Sequence, residues 1–155
     1  MSGQDARRHA LYRDVGEAMH LAQTLELNVS ILLSILDRRF ESPPDSQGLV
    51  LCEDKKTVGR LLNLLRERTD ISANGLDLLK RALQKRNDIT HHFFNKNVYA
   101  FSDEDAFKTV SERLKADTRV LAEATVVIEG FVKATAEAYG LKVGDILVRQ
   151  DGQGG

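Results

Sequence analysis

Proline stands at only two positions in this chain, and the two are adjacent, Pro43 and Pro44. Because proline removes a backbone donor and clashes with the preceding turn, its absence elsewhere leaves long stretches on both sides in which helices can form. The apolar pattern fits that freedom. From Ala18 the residues Ala22, Leu25, Val29, Leu32 and Leu36 recur at alternating steps of four and three, the spacing of one helical stripe within a helix over Val15 to about Arg39. Leu27, Ile31 and Ile35 add a second stripe in its C-terminal half. That half is therefore buried on more than one side, either at the centre of its own bundle or against a second subunit.

Glu41 to Gly48 holds both prolines with Asp45, Ser46 and Gly48, a loop of breakers and turn formers. Leu49 to Cys52 is too short to assign. Asp54 is an N-cap for a second helix carrying Val58, Leu61, Leu62 and Leu65 and stopping near Arg68. Asn74 or Ser72 can cap a third, with Leu76, Leu79 and Leu83 on one stripe, running to about Phe94. Ser102 with Asp105 resembles a capping box. It opens a long helix that ends before Gly140 and buries Phe107, Val110, Leu114, Leu121, Ile128 and Thr135. Glu129, Lys133 and Glu137 form its solvated edge. These segments predict an all-α antiparallel bundle of four to five helices over residues 1–140, followed by a short, extended, flexible tail at 141–155.

A length of 155 residues suits one domain. Hydrophobic content of 42% and charged content of 29% are close to ordinary globular usage and suggest neither wholesale disorder nor a membrane span. The single cysteine, Cys52, excludes an intrachain disulfide and a metal cage of paired thiolates, which points to a reducing compartment. Met1 to Arg13 is polar and has no apolar core for a signal peptide, so a cytoplasmic protein without membrane partners is expected. With a net charge of −1, any attraction to nucleic acid must come from a local patch.

The stripe of Leu76, Leu79 and Leu83 continues at Arg86, Asn87, Thr90 and His91. A stripe that turns from leucine to Arg, Asn and His is aimed at a groove or interface, because buried polar groups without partners are costly. Asn87 and His91 share a face and can hydrogen-bond, and Arg86 has the reach to lie alongside, so three groups can converge on one phosphate. The structural alternative is that Arg86 pairs with Asp88 or a neighbouring helix, while His91 and His92 act as partial cations at a helix C-terminus. Arginine five residues before histidine is a weak signal. Asparagine directly after the arginine, late in a helix, makes it more specific.

Arg86-Asn87-x-x-x-His91 resembles the R-N-x-x-x-H signature of the HEPN superfamily, compact α-helical domains of many prokaryotic toxins and defence ribonucleases. The helical layout from about Val15 to Tyr139 agrees with that family, although the specific match is this short segment. The resemblance implies a metal-independent endoribonuclease in which Arg86 and His91 are catalytic and Asn87 supports them. It also implies a homodimer with both motifs lining one cleft, and a role as a toxin or phage-defence effector with a cognate antitoxin or regulatory protein. One subgroup carries a Tyr two residues after the His as an AMP acceptor. Phe93 stands there in this chain, so that form of regulation is not expected.

The implied chemistry suits these side chains. Imidazole exchanges protons near neutral pH, so His91 can serve a ribose 2′-hydroxyl or the leaving 5′-oxygen. Arg86 can stabilise charge on the phosphate through paired donors. Lys80, Arg81, Lys85, Arg86 and Lys96 make a basic neighbourhood with only Asp77 and Asp88 nearby, and Lys85, His92 and Lys96 are the expected RNA contacts. His9 and His20 read as structural or surface residues. No glycine-rich nucleotide loop, metal-spaced His/Glu pair or nucleophile elbow occurs, so no cofactor or metal is expected. The other function compatible with this sequence is a non-catalytic helical adaptor that uses the same helix and groove to bind a protein partner or nucleotide.

Overall fold

The computed structural model describes residues 2–36 and 55–142, and all elements within them are helical. Helix α1 spans Gly3–Leu36, α2 spans Lys55–Arg68 and α3 spans Ala73–Asn87. The chain then passes through a π-helical turn, Asp88–His92, into a short α4, Phe93–Asn97, and a 3-10 turn, Val98–Phe101. Helix α5, Glu104–Ala138, completes an all-α bundle. The expected end of the first helix near Arg39, the Pro43-Pro44 loop, the Leu49 to Cys52 run, the Asp54 cap and the tail beyond Lys142 lie outside the described residues.

Helix α1 starts at Gly3, well before Val15, because Ser2 and Asp5 cap each other. The Asp5 amide donates to Ser2 Oγ at 3.2 Å, and the Ser2 amide and hydroxyl donate to the Asp5 carboxylate at 3.2 and 2.7 Å. These bonds hold the Asp5 carboxyl below its ordinary range. The apolar stripe accordingly begins at Leu11 and runs buried through Val15, Ala18, Ala22, Leu25, Val29, Leu32 and Leu36. Ile31 and Ile35 of the second stripe are buried too, in one core with Leu61 and Leu65 of α2 and Leu79 and Leu83 of α3. A central position in its own bundle therefore accounts for the doubly apolar half of α1.

The two long helices make the most extensive contact. Tyr12 meets Phe101 just before α5, and Asn28 Nδ2 donates to Glu129 Oε1 at 3.4 Å further along, so α1 and α5 run in the same sense. Helix α3 is antiparallel to both. Arg86 reaches Glu26 while the later Phe94 reaches back to Tyr12, and Lys85 reaches Asp117 while the later Asn97 reaches Arg113. The motif is thus sandwiched between the long helices.

Ser72 is the α3 cap, its hydroxyl accepting from the Gly75 amide at 3.0 Å. At α5 the cap is Asp103 rather than the expected Ser102. Asp103 Oδ1 accepts from the Ala106 amide at 2.6 Å. Ser102 is taken up by the preceding 3-10 turn, its amide and hydroxyl both donating to the Tyr99 carbonyl, at 3.1 and 3.2 Å. Asp103→Ala should therefore lower stability by about 1 kcal/mol in thermal or urea unfolding, whereas Ser102→Ala should change it much less. Equal effects would contradict this cap. At the other end Gly140 adopts φ 67°, and Gly140 and Leu141 amides donate to the Glu137 and Ala136 carbonyls at 3.1 and 2.8 Å. This paired closure needs a left-handed residue, which glycine supplies without steric cost. Glu129, Lys133 and Glu137 are exposed, as their spacing predicts. Among the described residues, no helix is long and apolar enough to cross a membrane.

Candidate functional site

From α3 through the 3-10 turn the buried positions are Leu79, Ala82, Leu83, Arg86, Ile89, Phe93, Asn97 and Ala100. The core-facing line therefore passes through Ile89 and Phe93. Thr90 and His91, expected to continue it, are exposed, as is His92, while Asn87 is half-buried at the rim. Two physical causes act together. Ile89 also lies three residues after Arg86, and its apolar side chain gains more from burial than Thr90 or His91 would. The π-helical turn also fits more residues into one turn than an α-helix, which alters the facing of everything after Asn87.

Arg86 is only 6% exposed, and Glu26, on α1, is 9% exposed. Arg86 Nη2 donates to both carboxylate oxygens of Glu26 at 2.8 Å, and Nη1 donates to Asn87 Oδ1 at 2.7 Å. The planar guanidinium thus serves an acid on one side and an amide on the other. Because Asn87 Oδ1 accepts from Arg86, the orientation of the Asn87 amide is fixed, with its NH2 as the remaining donor group. Arg86 is paired with a neighbouring helix, the arrangement the sequence left open as a structural alternative, and not with Asp88. Its charge is balanced by Glu26 in the interior instead of facing a groove.

Glu26 escaped the sequence reading, though the signal was present. It is the single acidic or basic residue, histidine aside, between Glu17 and Asp37, in the most apolar stretch of the chain. A lone charge in such a setting requires a buried partner of opposite sign.

The basic neighbourhood is less basic in the fold than in the sequence. Lys85 Nζ pairs with Asp117 of α5 at 3.0 Å, Arg81 with Asp77 at 3.2 Å, and Lys96 with Asp88 at 3.1 Å. Asp117 and Glu26 are distant in sequence, which is why counting local acids missed them. Lys96–Asp88 is exposed on both sides, and such a pair contributes little and can exchange its partner. Lys85 is held more closely, against a mostly buried acid.

Aromatic rings crowd one end of this site. Phe94 lies 5.7 Å from Tyr12, 6.2 Å from Phe101 and nearly parallel to it at 14°, and 5.3 Å edge-on from Phe93. Asn97 fixes the short helix beneath them, donating to the Phe93 carbonyl at 2.7 Å and accepting from the Arg113 guanidinium. The His91 and His92 rings stand 6.2 Å apart. Among the described residues, no group of three or more His, Cys, Asp or Glu side chains is gathered as a metal site needs. Comparison with protein-family models, curated proteins and solved structures found no match.

Proposed function

We propose that the chain is a metal-independent endoribonuclease of the HEPN type, with His91 moving the proton and the Glu26–Arg86–Asn87 network positioning the turn that carries it. The observation that supports this reading most is the buried ion pair directly before that turn. Replacing such a pair by apolar residues is often neutral or stabilising, so it is a weak source of stability and better understood as fixing one arrangement of its neighbours. π-helical turns are frequent at functional sites, and here one presents His91 to solvent.

In this reading the ribose 2′-oxygen attacks phosphorus, the bond to the 5′-oxygen breaks, one imidazole takes the 2′-hydroxyl proton and another protonates the leaving oxygen. A homodimer with both motifs at one cleft supplies two copies of His91 for these steps. Arg86, balanced by Glu26, is a positioning residue. Lys96, exchanging Asp88 for phosphate, and His92 contact the RNA backbone, while Lys85, expected from the sequence as a third contact, has its charge balanced by Asp117. The biological setting proposed is a cytoplasmic toxin or phage-defence effector held by an antitoxin or regulatory protein.

One observation favours the alternative of a non-catalytic helical adaptor: the Arg86 cation is already engaged by Glu26. Incubation of the purified protein in chelator with an RNA oligonucleotide and its 2′-deoxy counterpart separates the two. The nuclease cuts only the RNA. Intact RNA, or equal cutting of both, contradicts the proposal.

A further inference from the structure

Tyr12 is 53% exposed and Phe94 40% exposed, although both are large apolar rings at the centre of an aromatic cluster. We infer that Tyr12 and Phe94 form a stacking platform for an unpaired base of single-stranded RNA, one turn along from His91; this rests on the ribonuclease reading and names its substrate class.

The rings are held in advance of any ligand. Phe93, buried, meets Phe94 edge-on at 87°, Phe101 lies parallel behind it, and Tyr12 leans on both Phe94 and Phe101. Asn97 and Arg113 tie the short α4 to α5. A fixed aromatic face is what base stacking uses, and it is available only to bases that are not already stacked and paired in a duplex.

Size separates a base from a protein partner. An aromatic side chain buries roughly 150–250 Å², so at 53% and 40% exposure these two rings leave on the order of 200 Å² uncovered. A stable protein interface needs about 800 Å² on each side. The patch is too small to carry one alone, and it fits one or two bases.

Charge around the rings is mixed. Asp14 is paired with Arg13, Asp88 with Lys96 and Glu104 with Lys108, whereas Asp5, bound by Ser2 beside Arg8 and His9, and Asp103, bound by the Ala106 amide, keep their charge. Arg8, one turn before Tyr12 on the same side of α1, is exposed, as are His9 and His92. Phe94 follows His91 by three residues, just past the end of the π-helical turn, so the platform and the imidazole belong to one short segment.

The test uses the full chain carrying His91→Ala, so that the probe stays intact, and a short fluorescein-labelled oligouridine followed by anisotropy. Tyr12→Leu and Phe94→Leu should each weaken binding roughly tenfold or more, Phe94→Tyr should bind as the parent does, and a duplex of the same length should bind at least tenfold more weakly. Unchanged affinity in both leucine variants, or equal binding of duplex and single strand, overturns the platform. So does a change in oligomeric state without a change in RNA affinity, because the patch would then be an interface between copies. The nuclease reading stands or falls separately. Ring-dependent binding of the oligonucleotide with no cleavage by the His91-containing protein removes the enzyme and supports the platform. Cleavage that is indifferent to Phe94→Leu overturns the platform and leaves the enzyme standing.

Discussion

Replacing Glu26 alone with alanine is expected to lower the unfolding free energy by about 3–5 kcal/mol, and Arg86→Ala should cost a similar amount. Each change leaves the other charge buried without its counter-ion, and at 9% and 6% exposure neither can recover hydration by a small rotation. The loss is large beside the roughly 5–15 kcal/mol that holds a domain of this kind together. Asp88→Ala, which breaks the exposed pair with Lys96, should cost no more than about 1 kcal/mol. The chain lacks tryptophan, so urea unfolding is best followed by helical ellipticity. Single variants within about 1 kcal/mol of the parent would mean that the pair is neither charged nor buried in solution, or that water readily replaces the missing partner.

The second large effect belongs to His91. His91→Ala should reduce RNA cleavage in chelator by at least about 100-fold, the loss typical of a removed general acid or base. The same change should leave stability within about 0.5 kcal/mol, since the side chain is exposed and the core runs through Ile89 and Phe93. His92→Ala, one position along and also exposed, should cost much less than His91→Ala. Matching losses in the two variants would point to a diffuse basic surface, and retained cleavage in His91→Ala would remove the assigned chemistry.

Much of the fold was legible because helical stripes depend on local spacing. Leu25, Val29, Leu32 and Leu36 fell on the buried side as their periodicity requires, as did Val110, Leu114, Leu121 and Ile128. Boundaries were harder wherever a neighbouring element took a residue away. Ser102 is taken up by a 3-10 turn, and the Ser2–Asp5 cap lets α1 start in a polar segment without an apolar stripe of its own. The site was legible only in part. A stripe extrapolated at α-helical pitch carries Thr90 and His91 inward, but the π-helical turn and the competing Ile89 leave them outside. The partners of Arg86 and Lys85, namely Glu26 and Asp117, are brought in by tertiary packing, which no local window can register. The platform rings come from three elements, Tyr12, Phe94 and Phe101, and their convergence has no signature along the chain.

The central claim is that the buried ion pair serves the site more than the stability of the bundle. Its most direct test is the RNA cleavage rate of a double variant, Glu26→Leu with Arg86→Met, which removes both charges together and fills the space with apolar groups. Such replacements are often neutral or stabilising, so the variant should unfold near the parent's midpoint. It should nonetheless cleave RNA at least about 100-fold more slowly, because Asn87 loses the guanidinium that orients it and the His91 turn loses its anchor. A well-folded double variant that cuts RNA within a few-fold of the parent's rate would contradict the account.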